Sequence, residues 1–298
     1  TKGKANMIVL TNPSSFSRSD ELIVLTRSWL RSKVGTIPQD CYISLRSIKG
    51  FATLQFDDLD SDGKWDEVCF LQDFAGKQSV SFQVRISNRS STVKVSRAHV
   101  RQRRKISDEN FGQILISDSI PPGQANTDFS KVKLPPFLTE GPAWENDKVG
   151  FRIYFDVRNT KDIWGKTTSR MILDTVGINP EHNYHHLQEW GMDIFAVGSS
   201  LGAGSLAIKI PMVSLKDTII RLGGSNMGPV QYVRIADGPV RAVFRLNYPN
   251  WHLLPGMPPV KVSEEISIWG GQYFYQSGVK ISGAPTGASL VTGFAGMK

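Results

Sequence analysis

Three short stretches carry side chains able to move protons or bind a charged sugar. In GFRIYFDV, Arg152, Tyr154 and Asp156 alternate with Phe151, Ile153 and Phe155. Successive strand side chains point to opposite faces, so the three polar groups are expected to share one face. An arginine, a tyrosine and an aspartate in a row can bind an anionic sugar and transfer protons; a solvated outer face is the plainer reading. Just upstream, GPAWE sets Trp144, able to stack on a sugar ring, beside Glu145, a candidate acid or base. The alternative for Trp144 is packing in a core. Downstream, HNYHHLQEW gathers three of the five histidines, His182, His185 and His186, with Tyr184 and Glu189. Histidine is the side chain best poised for proton transfer near neutral pH. On a helix His182, His186 and Glu189 would share a face and could hold a metal, but no second ligand cluster accompanies them. Proton transfer or substrate binding is therefore the expected role.

Further cations repeat the polar-face pattern. Lys209 stands between Ile208 and Ile210 in SLAIKI, and Arg241 and Arg245 alternate with Ala242 and Phe244 in VRAVFRLNY. If these strands share a sheet with Arg152, its concave face is basic and suits a uronate or a sulfate. Taken singly, each reads as a surface cation. In DLDSDGKWDE, Asp58, Asp60, Asp62 and Gly63 match the first half of a calcium-binding loop, but the position of the last ligand is Cys69. The flanks GFATLQF and EVCFL look like strands, so a hairpin turn is expected there. A structural calcium ion is the lesser alternative, and no cofactor is required.

The elements that must position these groups read as β throughout. Short alternating runs recur between turn signals: ELIVLTRSWL, CYISLRSI, FATLQF, EVCFLQDF, SVSFQVRIS, GFRIYFDV, SLAIKI, YVRIADG, VRAVFRLNY, VSEEISIWG and YFYQSGVKIS. So many strands in 298 residues predict a large antiparallel β-sandwich whose concave polar face could receive a long substrate. One domain is expected over 1–298, with a long surface excursion at about 97–139. The best helix candidate is YHHLQEWGMDIF, weakened by Gly191.

Charge and missing motifs narrow the function. Thirty-five Lys+Arg against 27 Asp+Glu give a net charge of +8, which favours an anionic partner. The run Arg101, Arg103, Arg104, Lys105 lacks interleaved aromatics and reads as a solvated basic loop, so no nucleic-acid partner is expected. No apolar run has the length of a membrane span. There is no GxSxG elbow, Walker loop, HExxH or paired CxxC, which lowers serine hydrolases, NTPases and common zinc enzymes. Cys41 and Cys69 are too few for a disulfide scaffold, though one bridge between neighbouring strands is conceivable. The chain does not begin with methionine, and its start, TKGKANMIVL, lacks a signal peptide's apolar core, so it reads as processed or trimmed.

Several stretches together resemble a family of unknown function from bacterial polysaccharide-utilisation loci. They are NPSSFSRSDELIVL, LQFDDLDSDGKWDEVCFL, GPAWENDKVGFRIYFDVRNTKDIWGK, YHHLQEWGMDIFAVGSSLGAGSLAI, DGPVRAVFRL and SLVTGF. The resemblance implies a galactose-mutarotase-like super-sandwich, similarity to the ulvan oligosaccharide dehydratase group, and family members that continue beyond LVTGF. It further implies a periplasmic or secreted enzyme acting on acidic oligosaccharides or polysaccharides. The expected chemistry is β-elimination by a dehydratase or lyase, with Arg152 on the substrate carboxylate, His185 or His186 with Tyr184 or Tyr154 in proton transfer, and Trp144 stacking. Glu145, Asp156, Lys209 and Arg241 complete the expected binding set. Glycoside hydrolysis by Glu145 and Asp156, or a non-catalytic carbohydrate-binding module, are the alternatives.

Overall fold

The computed structural model describes residues 6–90, 95–179, 183–211 and 218–296. Strands hold 46% of the residues and helices 4%, so the chain is an all-β sandwich protein, as the alternating runs predict. Its N-terminal strands are β1 (Met7–Thr11), β2 (Arg18–Thr26), β3 (Tyr42–Ser47), β4 (Gly50–Phe51), β5 (Gln55–Asp57), β6 (Glu67–Phe74) and β7 (Ser79–Ser87), with a helix, α1 (Arg27–Val34), after β2. They form two antiparallel sheets, ordered β1-β7-β3-β4 and β2-β6-β5. A core that includes Ile8, Leu30, Leu45, Phe70 and Phe82 fills them.

The later strands are β8 (Ala98–Arg101), β9 (Ser117–Ile120), β10 (Ala143–Asn146), β11 (Val149–Ile153), β12 (Lys161–Lys166), β13 (Gly191–Asp193) and β14 (Ala203–Ile210). They continue with β15 (Thr218–Arg221), β16 (Val230–Asp237), β17 (Arg241–Trp251), β18 (Val260–Trp269), β19 (Gln276–Ser282) and β20 (Ser289–Phe294). Two five-stranded sheets, β13-β12-β11-β10-β8 and β19-β18-β17-β16-β9, and a three-stranded sheet, β15-β14-β20, enclose the larger core. Trp144, Phe151, Phe244 and Trp251 lie in it. Gln55 and Asp57 bind Arg241 across the seam between the two cores, and Arg97 on that seam pairs with Asp20 and Asp147.

Three local expectations change. The run ELIVLTRSWL is not one strand: it ends at Thr26, whose hydroxyl accepts the amide of Trp29 at 3.1 Å and so caps α1, which stops at Gly35 with φ 85°. YHHLQEWGMDIF forms turns and then β13 rather than a helix, because Gly191 adopts φ 128° with its backbone against Gly165, where a Cβ would stand 1.8 Å from the carbonyl oxygen. The stretch 97–139 contributes β8 and β9, and Arg101, expected in a solvated loop, is completely buried. Its guanidinium donates to the carbonyls of Leu173 and Leu138 and to the Thr139 hydroxyl, so burial is matched by acceptors.

Cys41 and Cys69 are both free thiols, so the conceivable bridge is not formed. Among the described residues no helix is long and apolar enough to cross a membrane.

Candidate functional site

Strand register assembles the site. Arg152 on β11 lies opposite Asp162 on β12 and Ala143 on β10, and Ala143 lies opposite Arg101 on β8. Trp164, two residues beyond Asp162, lies opposite Asp193 on β13. Arg101, Arg152, Asp162, Trp164 and Asp193 therefore share one face of the sheet, while Val100, Trp144, Phe151 and Ile163 share the other and pack into the large core. The alternation read from GFRIYFDV holds only as far as Ile153, where β11 ends; Tyr154 and Asp156 lie beyond the strand, and its polar face is not solvated. The turn Leu138–Glu140 and the segments around Leu173 and Tyr184 cover it, leaving Arg152 and Asp162 without exposed surface.

A dense ionic network results. One terminal nitrogen of Arg152 donates to Tyr154 Oη at 2.5 Å and to Asp162 Oδ2 and Asp193 Oδ2 at 3.0 Å each. The other donates to Tyr184 Oη at 3.0 Å, and to the Thr139 carbonyl and Glu140 Oε2 at 3.3 and 3.4 Å. Arg158 holds Asp156 and the second oxygen of Glu140, and its guanidinium lies 3.8 Å from the centre of the Tyr154 ring. Two guanidiniums thus face four carboxylates, those of Glu140, Asp156, Asp162 and Asp193. Burial, together with the Asp193 charge, raises the Asp162 pKa despite the counter-pull of Arg152. Burial also raises Tyr154 and Tyr184, with Arg152 opposing, so both phenols keep their protons at neutral pH.

This network reaches solvent through His185. Its Nδ1 lies 2.9 Å from Asp193 Oδ2, the oxygen that also meets Arg152, and its side chain is 53% exposed. The ring stacks obliquely on Tyr184, centroids 4.6 Å apart, and both line a cavity of about 250 Å³ with Phe129, Lys133, Asn179 and Asn183. Thr139, also on the wall, and Glu140 both adopt left-handed backbone, φ 50° and 64°. Two consecutive non-glycine residues in that region store strain of roughly 1–3 kcal/mol each, a feature that clusters at active sites.

The remaining expected residues lie elsewhere. His186 is exposed but is not part of the cavity wall, and His182 falls outside the described residues, so the His182–His186–Glu189 metal pattern has no described geometry. Trp144 is fully buried, stacked 5.7 Å from Phe151 and edge-on to Tyr275, and has no face left for a sugar. Glu145 is buried against Lys166 and accepts the amides of Ile172 and Leu173, while Asp156 is committed to Arg158. Neither faces the cavity, and both carboxylates are consumed by internal partners. Arg152 itself meets only protein groups.

Lys209 lies on β14 in the three-stranded sheet and Arg241 on β17, bound to Asp57 at 2.7 Å. Three cations on three sheets do not make one basic face. DLDSDGKWDE joins the antiparallel pair β5 and β6, so it is a hairpin loop. Its converging carboxylates are Asp58, Asp60 and Asp66, not Asp62, which turns to Lys64. They cap the amides of Leu59, Asp62 and Gly63, the ordinary work of aspartates in a turn.

Sequence reasoning missed Asp193, Lys133, Phe129 and the Thr139–Glu140 turn. Asp193 alone left a signal, as a lone carboxylate in the apolar run GMDIF. An uncharacterized protein, P7, of Formosa agariphila is 24% identical over 294 residues, covering 93% of this chain and 64% of the relative. The chain thus spans less than two thirds of that protein's length. No solved structure matches this chain. The model of a domain of unknown function, DUF4861, matches residues 10–298, and the chain belongs to that family.

Proposed function

We propose that the protein is a carbohydrate-active enzyme that cleaves a carbon–oxygen bond in acidic oligosaccharides by β-elimination, as a dehydratase or lyase. The observation that carries this reading is the His185–Asp193 pair at the mouth of the Tyr184 cavity. Asp193 accepts from Nδ1–H and so fixes the tautomer in which Nε2 keeps its lone pair for a substrate proton. Arg152 plays a different part from the one its sequence suggests. Committed to Asp162 and Asp193, it holds Asp193 and Tyr184 in place rather than meeting a uronate. Lys133, a cavity-lining cation without an ion pair among the described residues, takes the carboxylate and acidifies the adjacent C–H.

His185 removes the proton α to the carboxylate, and the electron pair left on carbon forms the C=C bond as the β C–O bond breaks. The leaving oxygen departs with its bonding pair and takes a proton from the His185 imidazolium, directly or through water, because the Tyr184 hydroxyl is committed to Arg152 and Glu140. If the leaving oxygen was a hydroxyl, water is lost; if it was glycosidic, the chain is cut. The alternative hydrolase needs two facing carboxylates, and the Glu145 and Asp156 pair is turned inward, so the geometry favours elimination. A proton-transfer group joined to Arg152 and Tyr154 through Asp193 disfavours a purely binding module.

Wider elements of this reading are a galactose-mutarotase-like super-sandwich and action outside the cytoplasm, in the periplasm or beyond. The organism of the 24% relative, a polysaccharide-degrading bacterium, suits that setting. The test is incubation with acidic oligosaccharides, ulvan fragments first, following ultraviolet absorbance of the unsaturated uronate and product mass. Loss of water without a new reducing end marks a dehydratase, and cleavage with the same chromophore marks a lyase. A saturated product with a new reducing end, or binding without product, overturns the proposal.

A further inference from the structure

A second and larger cavity, about 560 Å³, opens on the seam between the two cores, within the roughly 300–1,000 Å³ range of small-molecule clefts. Its walls come from both sides: Lys49, Phe51 and Asp73 from the N-terminal sheets, Arg97 and Pro239 from beyond them. None of these groups takes part in the His185 network.

Two properties of the walls define a ligand. Phe51 is 65% exposed on β4, at the end of the tight β3–β4 hairpin, and beside it Gly50 turns at φ 120° with nothing within 4 Å of where a Cβ would stand. An aromatic ring is therefore largely open to solvent at the rim, with the Arg46 guanidinium 5.5 Å from its centre on one side. On the same walls the polar groups are fixed in advance. Arg97 grips both Asp20 oxygens at 2.6 and 3.1 Å and Asp147 at 2.8 Å, and Asp73 accepts the Asp20 amide at 2.8 Å. Gln272 binds the carbonyls of Ser19 and Asp20, which holds Asp20 in left-handed backbone at φ 50°. That strain is maintained on the cleft wall by contacts from both halves of the molecule. Among the described residues the Lys49 ammonium makes no ion pair, and the second Asp73 oxygen has no hydrogen-bond partner.

Lys49 and Arg97 balance Asp20 and Asp73, two charges of each sign. A polyanion would meet two carboxylates there, whereas a hydroxyl-rich neutral ring offers donors to the aspartate and acceptors to the lysine. Its C–H face would cover Phe51. We infer that this seam cleft is a second saccharide-binding site, one that takes a neutral sugar ring of a glycan. The inference stands on the cleft itself and does not require the elimination chemistry proposed above.

The test is titration calorimetry and saturation-transfer NMR of the full chain with xylo-, manno-, cello- and galacto-hexaoses. The expected result is saturable binding of at least one of them, weakened tenfold or more by Phe51→Ala and by Asp73→Ala, kept by Phe51→Tyr, and unchanged by His185→Ala. Phe51 is exposed, so its variants should keep the wild-type melting temperature; Asp73→Ala also removes the acceptor of the Asp20 amide, so its melting temperature is measured beside its binding. Failure of all four hexaoses to bind, binding that Phe51→Ala leaves intact, or binding lost in His185→Ala but not in Phe51→Ala would each overturn the inference. A change in self-association on Phe51→Ala without sugar binding would make this face a protein contact and overturn it as well.

Discussion

Arg152 shows how far a side chain's neighbours decide its task. Its sequence context suggests a cation displayed on a strand face, yet it is fully buried and its charge is spent on Asp162, Asp193 and Glu140. Removing one partner of such a network leaves buried carboxylates uncompensated, at a cost of about 3–5 kcal/mol. Arg152→Met is thus expected to lower the chemical-denaturation stability by that order and to release His185 from its fixed orientation. A variant with wild-type stability would contradict the scaffold role. The alternation that sets Arg152 opposite in face to Phe151 and Ile153 is legible from period-two patterning, although the strand stops at Ile153 and Tyr154 and Asp156 follow beyond it. Their burial was not, because the covering groups lie far along the chain: Asp193 is 41 residues from Arg152 and Tyr184 is 32.

The hairpins and strands that bring those partners together were partly readable. Alternating runs located most strands, and the aspartate-rich loop fell on the β5–β6 hairpin as its turn residues suggested. The helix was missed although Thr26 and Gly35 bracket it, since apolar alternation in ELIVL runs straight into the cap. Gly191 reads from sequence as a weak point in a helix, whereas it is the residue that lets β13 meet β12. Gly191→Ala would set a methyl carbon 1.8 Å from the Gly165 oxygen, so it should unpair β13, displace Asp193 and abolish turnover. Full activity in that variant would contradict the positioning of Asp193 by β13.

His99, on β8, links that strand to Asp237 at 2.8 Å and Asp174 at 3.2 Å. Burial works against its protonation, but the hydrogen bonds and charges of the two aspartates outweigh it and raise its pKa to about 9. A pKa raised above the unfolded value of about 6.5 adds stability that is fully present below that value and is lost as pH rises through about 9. The melting temperature should therefore fall over that interval more in the wild type than in His99→Gln. Equal slopes would contradict a protonated His99.

Among the described residues two large hydrophobic cores meet across a polar seam, with two small clusters beside the larger one. Arg241 is one ionic tie across it, with its guanidinium on Asp57 and its backbone on Gln55, and Arg97 on Asp20 is another. Arg241→Met should separate thermal unfolding into two calorimetric transitions while leaving the His185 cavity intact; one transition at the wild-type temperature would show that the tie is dispensable. The net charge of +8 suits acidic substrates at long range, but the cations inside the fold are mostly paired, so the charge count alone did not identify the binding group. The most direct test of the whole account is the time course of unsaturated-uronate absorbance on acidic oligosaccharides for wild type and His185→Ala. The account predicts a rising signal for the wild type and a rate roughly 10²–10⁴-fold lower for the variant. Equal rates, or a wild-type product that is saturated, would contradict it.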